Sequence, residues 1–170
     1  MTPKVAIIMG STSDMKVMEA AAGLLDSFEI PYEIHALSAH RTPKRVELFA
    51  AGAAARGIRV IIAAAGGAAH LPGVIAASTP LPVIGVPIKS SNSIDGWDSM
   101  LSILQMPSGI PVATVALDGA YNAAILAAQI LATGDEALAA KIVTFKGDLA
   151  AKIERANAEL AGIKRPFKTN

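Results

Sequence analysis

The sequence predicts an α/β protein built on one open, parallel sheet of about five strands with helices on both faces. Short, β-branched apolar runs alternate with longer amphipathic stretches, the pattern of repeated strand–helix units. The first run is continuous, as expected of a strand buried on both faces of a parallel sheet. Two loops, 38–43 and 66–73, each follow such a run and each present a histidine, and both fall at one rim of that sheet. That rim, outside the carboxyl ends of the strands, is where open α/β sheets bind ligands.

Residues 4–9 (KVAIIM) form the first strand, closed by Gly10. Ser11-Thr12-Ser13-Asp14 offers several N-caps for a helix over about 15–28, where Val17, Met18, Ala21, Leu24 and Leu25 recur at helical spacing. The unit repeats as strand 32–37, loop 38–43 (SAHRTP), helix 44–56, strand 60–64, loop 66–73 (GGAAHLPG) and a short helix around 74–78. A fourth strand at 82–86 leads into a Ser-, Asn- and Gly-rich loop over 87–98. A helical piece at 99–105, a fifth strand at 112–117 and a helix at 121–132 complete the alternation, with right-handed crossovers.

From Asp135 onward Leu138, Ile142, Phe145, Leu149 and Ile153 mark one long amphipathic helix, about 135–162, with Gly147 its weak point. No strand follows it, and the sheet already has helices on both faces. Its apolar stripe is therefore expected at a subunit interface, and residues 164–170 are expected to fray.

With 170 residues and no linker-like segment, the chain is expected to form a single domain, 1–170. Fifteen Lys+Arg balance fourteen Asp+Glu, and no basic run suits nucleic acid. Only 17% of residues are charged, against roughly a quarter in an average soluble domain. So apolar a surface points to a symmetric homo-oligomer. The absence of cysteine excludes disulfides and thiolate chemistry. No run reaches the roughly 18 apolar residues of a spanning helix, so a cytoplasmic protein with no membrane partner is expected.

Free N–H groups and the helix dipole after the first strand favour an anion at 10–14, with Ser11 and Ser13 adding hydroxyls. Ser13 or Asp14 serves equally as a helix cap, and a ligand role for Asp14 is to accept hydrogen bonds from ribose hydroxyls. Ser38 is a hydroxyl donor, His40 a proton carrier near neutral pH and Arg41 a fixed cation for phosphate oxygens. Thr42 as N-cap and Pro43 at the first helical position start the next helix. Gly66 and Gly67 let backbone approach a ligand, and Ala68-Ala69 form a wall beside which a planar base fits. His70 either faces that ligand or satisfies a buried carbonyl. Trp97 and Tyr121, on loops near the rim, either stack on a ligand or pack beneath the loops.

Other chemistries find no support. The chain has neither a Walker loop nor a dinucleotide fingerprint. His35 lies inside a strand apart from His40 and His70 and no acidic cluster accompanies them, so no metal is expected. No Gly-x-Ser-x-Gly elbow suggests a serine hydrolase.

GSTSD at 10–14, SAHRTP at 38–43 and AGGAAHLPG at 65–73, in this order after three strands, resemble the N5-carboxyaminoimidazole ribonucleotide mutases of purine biosynthesis. The likeness continues through Gly85-Val86-Pro87, Asp98-Ser99, Gln105-Met106-Pro107 and Asn122-Ala123-Ala124, over about residues 5–133. Arg41-Thr42-Pro43 places the chain with the bacterial-type members rather than the related animal carboxylases. The resemblance implies a flavodoxin-like fold, an octamer, no cofactor, and an ATP-independent shift of a carboxylate from the exocyclic amine of aminoimidazole ribonucleotide to C4. It makes His40 the catalytic proton carrier and assigns the ribose phosphate to Ser11, Asp14 and Arg41 with Ser13 and Ser38. Ala65, Gly66, Gly67, Ala68, His70 and Leu71 would form the pocket for base and carboxylate. Met15 departs from the tryptophan common after Ser-Asp, and Ala64 from a frequent glycine.

The chemistry is coherent with those residues. A carbamate loses CO2 once its nitrogen is protonated, so one histidine can give that proton and later take the one on C4. A small apolar pocket at 66–71 would keep the CO2 beside C4 in between. Two alternatives share the scaffold: direct carboxylation of aminoimidazole ribonucleotide by CO2, and an FMN-binding flavodoxin-like protein.

Overall fold

The apolar runs become the strands of a parallel sheet in a computed structural model describing residues 1–170. In chain order the elements are β1 Val5–Met9, α1 Met15–Ser27, β2 Tyr32–Ala36, α2 Pro43–Ala53, β3 Val60–Gly66, α3 Leu71–Ala77, β4 Val83–Ile88, α4 Trp97–Leu104, β5 Ala113–Thr114, α5 Ala120–Ala132 and α6 Glu136–Ala161. The sheet order is β2-β1-β3-β4-β5, every pairing parallel. That is the flavodoxin order, in which connections leave β1 and β3 in opposite directions and open a crevice between their carboxyl ends.

β1 and β4 are buried along their whole length, and β3 as far as Ala65. Alternate side chains explain why. Ala6, Ile8, Ile61, Ala63 and Val83 cluster with Val46 and Ala50 of α2, Ile75 of α3 and Ile103 of α4. Val5, Ile7, Val60, Ile62 and Ile84 point the other way and are fully buried too, so both faces are covered.

Several boundaries move for identifiable reasons. β5 is only two residues rather than the expected 112–117. Gly85 and Pro87 both turn their carbonyls to that side, accepting from Val115 at 3.1 Å and Asp118 at 2.8 Å. Pro87 has no N–H to return, so regular pairing ends there. α3 starts at Leu71 rather than about 74 because Pro72 sits in its first turn, where no N–H is needed. α4 starts at Trp97 rather than 99, directly after Gly96 at φ 88°. Trp97 and Tyr121 therefore lie on helices, not loops, and are 62% and 45% exposed.

The chain divides into two compact units, Met1–Leu131 and Ala132–Asn170. In the second, Asp135 caps α6 by accepting the Leu138 N–H at 3.0 Å. The helix runs unbroken through Gly147, and residues 162–170 lie beyond it. Leu138 and Ile142 are buried, whereas Leu149 and Ile153 of the same apolar stripe are 51% and 61% exposed. No helix is long and apolar enough to cross a membrane.

Candidate active site

A cavity of about 570 Å³ lies across the carboxyl ends of β1, β2, β3 and β4, where the sheet order predicts a ligand. Its first wall is the turn after β1. Ser11 caps a short 3-10 turn by accepting the Ser13 N–H at 3.3 Å, and the Ser13 hydroxyl donates to the Asp14 carboxylate at 3.2 Å. The Asp14 side chain makes no capping bond to α1. Both residues line the cavity.

Asp14 is buried, only 5% exposed, and that burial pushes its carboxyl above the ordinary aspartate value. Hydrogen bonds from Ser13 and the Ser11 turn oppose the rise, and the negative charge of Asp118 adds to it. A carboxyl raised in the folded state stabilises the fold below its unfolded pKa of about 3.9, and that stability is lost as pH rises through the raised value. Asp14→Asn is therefore expected to raise Tm at neutral pH, with the gain vanishing near pH 4. Thermal melts at both pH values check this; an equal change at both would refute it.

The second wall is the loop after β2, held by its own side chains. Thr42 stands at the N-cap position of α2, but its hydroxyl does not cap the helix as expected. It accepts the Ser38 N–H at 3.0 Å and donates to the Ser38 carbonyl at 3.1 Å, closing the loop on itself. Ser38 Oγ in turn accepts the Arg41 backbone N–H at 3.2 Å and its Nε–H at 3.4 Å. Arg41 Nη2 reaches the Gly10 carbonyl at 3.3 Å and ties the two walls together.

His40 projects from this loop to meet His70 from the loop after β3, with 2.8 Å between His40 Nε2 and His70 Nδ1. The rings meet edge to face, centroids 4.9 Å apart. One nitrogen of the pair must donate and the other accept, so the contact holds one proton between the rings. His70 thus faces the cavity rather than satisfying a buried carbonyl. His35 stays in β2 against Phe49, 5.1 Å between centroids, apart from the other two.

Ala65, Gly66, Ala68, His70 and Leu71 line the third wall; Gly67 does not. Both glycines also make room for a neighbouring segment of the chain. A Cβ on Gly66 would lie 2.3 Å from Ser90 Oγ and 3.0 Å from the Ile88 carbonyl. One on Gly67, at φ 59°, would lie 2.9 Å from Asn92 Nδ2. The missing side chains admit the loop after β4, whose Lys89, Ser90, Ser91 and Asn92 form a fourth wall with Ile88 at the end of β4.

That wall was not anticipated residue by residue, although its Ser/Asn composition and its place after a strand marked the loop. Ser90 donates to Asn92 Oδ1 at 2.7 Å, and Lys89 pairs with Asp95. Lys16 and Val17, in the first turn of α1, also line the cavity without a sequence signal of their own. Trp97 and Tyr121 do not line it.

A flavodoxin-ordered sheet whose switch point carries a histidine pair, a guanidinium and a hydroxyl-rich turn defines an α/β enzyme acting on a small anionic molecule. The family model described as AIR carboxylase matches residues 4–152, and the chain belongs to that family. It is 54% identical over 158 residues to the N5-carboxyaminoimidazole ribonucleotide mutase of Mycobacterium tuberculosis (strain ATCC 25618 / H37Rv), covering 93% of this chain and 90% of that protein. It is 57% identical over 148 residues to the phosphoribosylaminoimidazole carboxylase of Schizosaccharomyces pombe, covering 87% of this chain but only 27% of that longer protein. The crystal structure of Treponema denticola PurE superposes with a TM-score of 0.82 at 34% identity, over 93% of this chain and 98% of that one.

Proposed function

We propose that the chain is an ATP-independent isomerase of purine biosynthesis, converting N5-carboxyaminoimidazole ribonucleotide to the C4-carboxylated isomer. The observation that carries it is the 2.8 Å His40–His70 pair beside the small-residue wall Ala65, Gly66 and Ala68. The chemistry needs one proton carrier and a pocket that retains CO2, and the site offers both. Family membership and the mutase named among the relatives support the same reading, and nothing in either favours a flavin.

In this reading His40 starts protonated, its ring oriented by His70 Nδ1. It gives a proton to the carbamate nitrogen; the N–C bond breaks, its electron pair stays on nitrogen, and CO2 is released into the pocket. C4 then attacks CO2, and the C4 proton passes back to His40, which ends as it began. Arg41, with Ser11, Ser13 and Ser38, holds the phosphate, while Asp14 accepts from ribose hydroxyls. Ala65, Gly66, Ala68 and Leu71 enclose base and CO2, with Gly67 setting the turn behind them.

The proposal extends to a cytoplasmic homo-octamer of a single catalytic domain, 1–170. The exposed half of the α6 stripe, Leu149 and Ile153, supports its docking on another copy.

The test is an ATP-free assay with the N-carboxylated ribonucleotide in one arm and aminoimidazole ribonucleotide plus bicarbonate in the other. Fast formation of C4-carboxylated product confined to the first arm is expected. Efficient use of only the second would make the chain a carboxylase, and silence in both would refute an enzymatic role.

A further inference from the structure

We infer that Lys16 binds the phosphate of the ligand and sets the site's preference for a ribonucleotide over the corresponding riboside. The inference rests on the ribonucleotide reading above. Three cationic side chains line the cavity, Lys16, Arg41 and Lys89. Two have partners in the protein: Arg41 bonds Ser38 Oγ and the Gly10 carbonyl, and Lys89 forms an exposed pair with Asp95. Lys16 alone has neither a hydrogen-bond partner nor an ion pair. The acid nearest in sequence, Asp14, is buried and occupied by the Ser13 hydroxyl. Glu19, three residues along the same helix, forms no ion pair with it.

Folding gives no reason for a lysine there. It is the second residue of the 13-residue α1, at the positive end of the helix dipole, where a cation is disfavoured. An anion bound beside it reverses that sign. A phosphomonoester carries about −1.5 to −2 charges at pH 7. Arg41 supplies one positive charge at this end of the cavity, and any ionised fraction of Asp14 subtracts from it. Lys89 follows β4, two strand spacings or about 10 Å across the sheet from β1, and its ammonium pairs with Asp95. Lys16, a mobile point charge with three donors, supplies the second positive charge next to Gly10, Ser11 and Ser13.

The experiment titrates wild-type protein, Lys16→Gln and Lys16→Arg by calorimetry with aminoimidazole ribonucleotide and with its dephosphorylated riboside. Lys16→Gln is expected to weaken the ribonucleotide roughly five- to twentyfold, as for a partly exposed charge-assisted hydrogen bond. Riboside affinity should stay unchanged and Lys16→Arg should keep most of the binding. In turnover, KM should rise while kcat holds. Equal ribonucleotide affinity in wild type and Lys16→Gln would overturn the inference and leave the mutase reading intact. So would equal losses for ribonucleotide and riboside, which assign Lys16 to structure. A wild-type protein that binds no ribonucleotide would overturn the reading beneath it. Lys16 is exposed, so Lys16→Gln should melt no lower than wild type, which thermal melts verify.

Discussion

Replacing His40 by asparagine is expected to lower turnover by roughly 10²–10⁴-fold while leaving ribonucleotide affinity within a few-fold of wild type. His40 is the imidazole that the loop after β2 brings to the cavity wall, and the proposed reaction needs one proton given and one taken. Asparagine, whose amide neither ionises nor reaches as far as Nε2, can do neither. The residues proposed to hold phosphate and ribose, Ser11, Asp14, Ser38 and Arg41, make hydrogen bonds that do not involve the imidazole. Binding should therefore survive where chemistry does not. Single-turnover assays beside calorimetry separate the two quantities; turnover within tenfold of wild type would remove His40 from the mechanism.

Gly66→Ala should also be damaging, for a reason of shape. Its Cβ would fall 2.3 Å from Ser90 Oγ and 2.6 Å from Ser90 Cβ. A rotamer change moves the hydroxyl, but Cβ is fixed to the backbone and the Ile88 carbonyl, 3.0 Å away, belongs to β4 itself. The loop after β4 must then shift, taking Lys89 and Asn92 with it. A stability loss of about 1–3 kcal/mol is expected, as for overpacking in a well-filled interior. Turnover should fall at least roughly tenfold, the scale of a misplaced site. Ser90→Gly removes both nearest atoms, so the double variant should recover stability. An unchanged Tm and rate in Gly66→Ala would show that the loop yields freely.

The glycines also show where reading the chain alone stopped. A Gly-Gly pair after a buried strand marks close backbone approach, and that was legible. What approaches was not, because Ser90 and Asn92 lie more than twenty residues away and meet Gly66 and Gly67 only through the β3–β4 register, in which Gly66 faces Ile88. Thr42 repeats the lesson locally. Its position before Pro43 announced a helix start, yet whether its hydroxyl caps the helix or closes the loop depends on backbone angles, φ −134° and ψ 49°, that residue type does not dictate. Lys16 and Val17 lacked any signal because a first-turn residue faces the rim or solvent according to how the helix packs.

By itself the sequence determined the strand–helix alternation, the rim that carries the site and the residue types available for chemistry there. These follow from local periodicity, from glycine and proline, and from the rule that ligands bind beyond the carboxyl ends of parallel strands. Only the tertiary structure decided that His40 and His70 share a proton across 2.8 Å, that Arg41 bridges two loops, and that the loop after β4 completes the cavity. The physical reason is range. Periodicity and turn chemistry act over a few residues, whereas a site on a parallel sheet is assembled from loops that meet only once strand order and register are set.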